Sequence, residues 1–204
     1  KEIDFKGMIE SRFLFRTALS KSILPFALYK PDLVVLPITI EANGNFKRIE
    51  LQSSKDLQRK GYLNAARWFI DAENIWKIHR TEKSKGMSSN ERIDFQRGLT
   101  EQNLNLPYLV LYNSSAKDAN SVVVERNDID LNFIVESVTY VFYTANKYEA
   151  YYLSSFLNSS APNEMMKDFQ ATGLFGARHV HKKILDVFFP KFNERSKNHL
   201  KLAL

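Results

Sequence analysis

Leu33-Val34-Val35-Leu36-Pro37-Ile38-Thr39-Ile40 is the stretch on which the fold class turns. It is β-branched and almost uniformly apolar, the pattern of a strand buried on both faces. Pro37 has no N–H to give a ladder, so the strand is expected to be an edge, or bulged, at that point. Ser22 to Tyr29 forms a second extended run upstream, set off by the turn Lys30-Pro31-Asp32, and Asn43-Gly44-Asn45 is a strong turn signal downstream. Residues 55–80 then change to helical spacing. Tyr62, Ala66, Phe69, Ile70 and Trp76 fall on one stripe, and Leu57, Trp68, Ile75 and Ile78 on another. A helix apolar on two sides is either enclosed between layers of its own domain or docks a partner.

Further along, residues 81–90 are a polar, basic loop, and Ser88 with Glu91 has the spacing of a capping box opening a short helix through Leu99. Strands are expected at Pro107–Tyr112, Val122–Arg126 and Phe133–Thr144. Asn146 should cap a helix with Glu149 in its first turn, its apolar side formed by Tyr148, Tyr151, Tyr152 and Phe156. A helix from Pro162 to Gln170, the glycine-bounded loop Gly173–Gly176, a short strand Ile184–Phe189 and a basic amphipathic tail finish the chain. Strands cluster and helices interrupt them without regular alternation, which gives an α+β class with a mixed, mostly antiparallel sheet. No period of 20–50 residues recurs. A length of 204 residues suits a single domain over 1–204.

The 29 Lys and Arg against 23 Asp and Glu give a formal charge of +6, unevenly placed. Residues 47–100 hold twelve bases and seven acids, 101–164 three and eight, and 165–204 eight and three. Two basic blocks flank an acidic one, and two such blocks converging on one face would suit a phosphate backbone. The chain has no cysteine, which excludes disulfides, thiolate metal sites and a cysteine nucleophile and points to a reducing, cytoplasmic setting. No apolar run approaches the ~20 residues of a membrane span.

Catalytic templates fail one after another. His179 and His181 would share a face on a strand, but zinc needs three or four ligands, and His79 and His199 stand apart. Glu82, Glu91 and Asp94 suit capping better than acid–base work. There is no Gly-x-Ser-x-Gly elbow and no Walker loop. Asn105-Leu106-Pro107-Tyr108 approaches the Asn-Pro-Pro-Tyr signature with which adenine-N6 methyltransferases hold the target amino group, but Leu106 stands where the first proline belongs, and no glycine-rich methyl-donor turn precedes it. No catalytic residue and no metal ligand are assigned. The basic loops fare better. Lys77, Arg80, Lys83, Lys85, Arg92 and Arg97 outnumber Glu82, Glu91 and Asp94 across residues 76–100, and Arg178, His181, Lys182 and Lys183 form a second cluster.

Several stretches are similar to one known family. Glu149-Ala150-Tyr151-Tyr152-Leu153-Ser154-Ser155-Phe156-Leu157-Asn158-Ser159, then Asn163-Glu164, the segment Gly173-Leu174-Phe175-Gly176 through Arg178 to Lys182, and Pro190-Lys191-Phe192 resemble the end of target-recognition domains of adenine-N6 DNA methyltransferases from restriction–modification systems. Ser22–Phe26, Val35–Ile38, Gly61–Phe69, Arg80–Lys85 and Tyr108–Asn113 extend the resemblance over nearly the whole chain. It implies a target-recognition-domain-like fold that reads double-stranded DNA. A separate upstream catalytic domain would bind S-adenosylmethionine and transfer the methyl group; no cofactor is expected in this chain itself. The start at Lys1, without a leader segment, then fits the carboxy-terminal part of a longer enzyme. Lys83, Lys85, Lys182 and Lys183 are expected to neutralise phosphates, and Arg80, Arg92, Arg178 and His181 to reach base edges. The competing expectation is a protein-interaction module docking through the helix at 55–80.

Overall fold

The computed structural model describes residues 4–113, 118–166, 172–173, 176–177, 184–186 and 189–204. In chain order they form β1 (Leu14–Thr17), β2 (Ile23–Leu24), β3 (Ala27–Leu28), β4 (Asp32–Val35), β5 (Ile38–Asn43), β6 (Phe46–Leu51), α1 (Ser54–Arg59), α2 (Leu63–His79), α3 (Ser89–Ile93), β7 (Tyr108–Asn113), β8 (Ser121–Glu125), β9 (Thr139–Thr144), α4 (Lys147–Leu157), α5 (Ser160–Met166), β10 (Thr172–Gly173), β11 (Gly176–Ala177) and α6 (Lys197–Leu202). Helices and small antiparallel sheets make this an α+β fold. Where the sequence suggests one domain, the backbone divides into two compact units, Lys1–Phe15 with Leu33–Asn105 and Arg16–Asp32 with Leu106–Leu204.

In the first unit the apolar run 33–40 is two strands, not one. Pro37 breaks it between β4 and β5, and Leu33 is exposed, so the expectation of a strand buried on both faces does not hold. β5 and β6 pair from Ile38↔Leu51 to Asn43↔Phe46 around Gly44-Asn45, with Gly44 at φ +59° where the turn demands a left-handed residue. The helix expected over 55–80 is likewise broken. Gly61, at φ +81°, ends α1, and α2 starts at Leu63. Phe13, Leu57, Ala65, Ala66 and Phe69 form the buried centre, with Tyr62 and Trp68 packed against it.

In the second unit β7 is the strand buried on both faces. It lies between β8 and β9, pairing Leu109↔Val124 on one side and Leu109↔Tyr143 on the other. Val110 and Tyr112 join Ala150, Leu153 and Leu157 of α4, while Leu109 and Leu111 join Val122, Val124 and Phe133. Burying an aliphatic side chain of this size contributes about 1.5–3 kcal/mol, so the centre of β7 is the firmest part of the sheet. The strand expected over 133–144 is realised only as β9. Ahead of it Glu136 closes a turn, its carbonyl accepting from Thr139 N (3.0 Å) and its carboxylate from Val138 N (2.9 Å). Asn146 caps α4 through Tyr148 N and Glu149 N as expected, although the buried side is Ala150, Tyr152, Leu153 and Leu157, with Tyr148 exposed. Ile184–Asp186 is a 3-10 turn rather than the start of a strand.

Candidate nucleic-acid interface

The basic loop after α2 is built to hold its shape. Trp76, in the last turns of α2, donates its indole N–H to Met87 O (2.8 Å), and Arg80 Nη1 donates to the same carbonyl (3.1 Å). Two donors eleven and seven residues upstream thus close the loop on one acceptor. Within it Ser84 N donates to Thr81 O (2.9 Å) and Met87 N to Ser84 O (2.9 Å), around a 3-10 turn at Glu82–Ser84. The next element is fixed as well. Ser88 caps α3 in a full capping box with Glu91, and Ser89 N donates to Glu73 Oε2 of α2 (2.7 Å). Burial pushes the Glu73 carboxyl up, but the hydrogen bonds from Ser89 and the charge of Lys77 outweigh it and leave it below its ordinary value. Ser88 backbone and hydroxyl hydrogen bonds lower Glu91 likewise.

This anchored loop presents cations to solvent. Lys83 and Lys85 are exposed, and Lys83 borders a shallow cavity of about 250 Å³ with Gly86, Met87 and Glu91. Lys85 reaches Glu82 at 3.5 Å, a pair so open to water that it contributes little and gives way readily to a phosphate. Arg92 is exposed on α3, its guanidinium 5.9 Å from the centre of the Phe95 ring. Arg80 is half-buried and serves the loop through Met87. Of the eight residues expected to meet DNA, Arg80, Lys83, Lys85 and Arg92 therefore fall on one continuous segment. Arg178, His181, Lys182 and Lys183 lie outside the described residues.

Sequence reasoning missed the turn that succeeds α3. Phe95 is half-exposed beside Arg92, and Gln96 and Arg97 both hold left-handed backbone, at φ +53° and +60°. Asp94 stabilises this strained turn by accepting from Leu99 N (3.0 Å) and Thr100 N (2.9 Å). Neither Gln nor Arg signals positive φ, so only the aromatic next to two arginines offered a clue.

The helix on which the competing expectation rests is largely occupied within its own unit. Trp68 packs its ring 4.3 Å from that of Phe5, and Trp76 is spent on Met87. Leu63, Ile70 and Ile78 are exposed, but on the helical wheel they lie within about 80° of one another and share that stripe with Arg67, Asp71, Asn74 and Lys77. Apolar groups so interspersed with charge are ordinary surface rather than a dry docking face.

The residues carrying the family resemblance in the second unit have structural work. Asn158, at the C-cap of α4, accepts from Ser121 N and donates to Ser121 O, both at 2.8 Å, and Asn163 accepts from Ala119 N (2.8 Å), so two side-chain amides cover backbone at and just before the start of β8. A larger concavity of about 660 Å³ is lined by Arg16, Lys30, Glu125, Asp128, Asp130 and Tyr151 among others. Its charges are of both signs and several answer one another. Arg16 holds Asp130 through two 2.9 Å bonds, and Glu125 accepts from Lys147 (2.8 Å) and Tyr151 (2.9 Å). That mixture does not suit a polyanion. Arg126, one of three bases in the acidic stretch, is turned inward to Leu106 O and Phe133 O. No helix among the described residues is long and apolar enough to cross a membrane. Comparison with protein-family models and with curated proteins returned no match for this chain.

Proposed function

We propose that this chain is a sequence-specific DNA-binding, target-recognition domain of an adenine-N6 DNA methyltransferase of the restriction–modification type. It would hold the duplex while a separate S-adenosylmethionine-dependent domain flips and methylates an adenine. The observation that carries the proposal is the loop 80–92, in which exposed Lys83, Lys85 and Arg92 stand on a backbone fixed to α2 at Met87 and Ser89. Cations on a fixed frame lose little freedom on meeting phosphate, and this is what register on a duplex requires. The family resemblance and the basic block at 47–100 support the same reading.

Lys83, Lys85, Lys182 and Lys183 are assigned to phosphates, and Arg92, Arg178 and His181 to base edges. Arg80, expected at a base edge, holds the loop through Met87 O and sits at its root. No catalytic group is assigned, so the methyl transfer belongs to the other domain. The test is fluorescence anisotropy of a labelled duplex with the Lys83→Gln/Lys85→Gln variant. The log–log salt slope should fall by about two units, with the loss equal on every duplex sequence. A changed sequence preference at unchanged slope would remove both lysines from the phosphates.

A further inference from the structure

We propose that the last described segment, residues 189–204, is a second phosphate-binding face for duplex DNA, carried by the other unit; the proposal rests on the DNA-binding reading above. The segment holds Lys191, Arg195, Lys197 and Lys201 against a single acid, Glu194. All four cations are exposed, and none has an ion pair or side-chain hydrogen bond among the described residues. Elsewhere among the described residues Lys6, Arg16, Lys21, Arg48, Arg59, Lys77, Lys85, Arg97 and Lys147 each have a carboxylate partner, while Lys47, Lys55, Lys60, Arg67 and Lys83 are exposed without one. What distinguishes the four is that they fall together on one short segment. Glu194, the one acid of the segment, accepts from Asn146 Nδ2 at the N-cap of α4.

The backbone beneath the cations is anchored. Tyr152 donates to Pro190 O (2.7 Å), Ser155 Oγ to Leu202 O (2.6 Å), and Asn193 N to His199 Nδ1 (3.0 Å). The His199 ring stacks on Tyr152 with centroids 4.7 Å apart, Phe189 stacks on Phe156 at 4.2 Å, and Ala203 is buried. With His199 and Ala203 facing α4, Lys197 and Lys201 fall on the opposite side of α6, about 40° apart on the wheel. Like charges one turn apart repel, and no acid in the segment relieves them. A polyanion would. Duplex DNA fits because it offers closely spaced phosphates along one line, which Lys197 and Lys201 on the outward side of α6 can follow. The exposed Leu202 and Leu204 beside them make a lipid surface the alternative that the test must separate.

The test uses the full chain with Lys191, Arg195, Lys197 and Lys201 all changed to Gln, beside a set in which the three lysines become Arg. Binding of a labelled duplex is followed between about 50 and 200 mM salt. The Gln variant should lose about one unit of log–log slope for each cation that meets a phosphate, two to four in all, and weaken on every sequence alike. The Arg set should match the wild type, and circular-dichroism melting should not move, since among the described residues the four side chains make no ion pair or hydrogen bond. A Gln variant with unchanged slope, alongside a Lys83→Gln/Lys85→Gln variant with a reduced one, overturns this face and leaves the DNA reading standing. Binding to phosphatidylserine vesicles that is lost in the Gln variant, with DNA affinity unaltered, overturns it in favour of a membrane. If the wild-type chain binds no duplex, the DNA reading falls and this face with it.

Discussion

Met87 O accepts from both Trp76 Nε1 (2.8 Å) and Arg80 Nη1 (3.1 Å), and this shared acceptor predicts a particular failure of additivity. Trp76→Phe keeps a ring in place and removes one donor; Arg80→Gln shortens and neutralises the other. Each single change leaves the carbonyl with one partner, so each should cost the net value of one hydrogen bond, about 1 kcal/mol. The double variant leaves the carbonyl with neither, adding a desolvation penalty of about 1 kcal/mol or more beyond the sum of the singles. The loop opens locally, so hydrogen exchange at the Ser84, Lys85 and Met87 amides reads the effect directly, since all three donate within the loop. Exchange should quicken about 5-fold in each single variant and more than about 100-fold in the double, with the amides of β7 unaffected. Strict additivity, or loop amides that exchange at wild-type rates in the double variant, would refute the claim that Met87 closes this loop.

Single contacts carry further consequences. Asn158→Ala removes both bonds to the Ser121 backbone and should cost about 1–3 kcal/mol in urea unfolding; Asn158→Asp should do no better, because its second oxygen would face Ser121 O rather than donate to it. Glu73 has a folded-state pKa below its ordinary 4.5, so its contribution is complete above that value and disappears as pH falls through the lower folded value. The acid limb of thermal stability should therefore be flatter in Glu73→Gln, and an unchanged limb would deny Glu73 its role at the start of α3. Incubation of this chain alone with DNA and labelled S-adenosylmethionine should transfer no methyl group; measurable transfer would place a catalytic site where none has been assigned.

The features legible in the sequence were those decided within a few residues. The Ser88–Glu91 capping box, the Asn146 cap and the Asn43-Gly44-Asn45 turn depend on local bonding, and all three stand in the structure. Burial on both faces belongs to β7 and not to the run 33–40. The run 33–40 and β7 are equally apolar, and only the partners β8 and β9, distant in sequence, decide which one is enclosed. The helical period runs on across Lys60-Gly61-Tyr62 because the flanking stripes stay in phase, and only Gly61, at positive φ, marks the stop. In the candidate interface, the exposed lysines could be read from composition. The carbonyl that fixes their loop could not, because a backbone acceptor leaves no mark on the sequence, and neither do the left-handed Gln96 and Arg97.

The central claim is that this chain binds and discriminates duplex DNA. Its most direct measurement is the affinity of the wild-type chain for a pool of random duplexes across a salt series, followed by sequencing of the retained fraction. A log–log slope of several units together with enrichment of one short sequence is expected, since phosphate contacts set the slope and base contacts the enrichment. A slope near zero, or a steep slope with no sequence enriched, would contradict it.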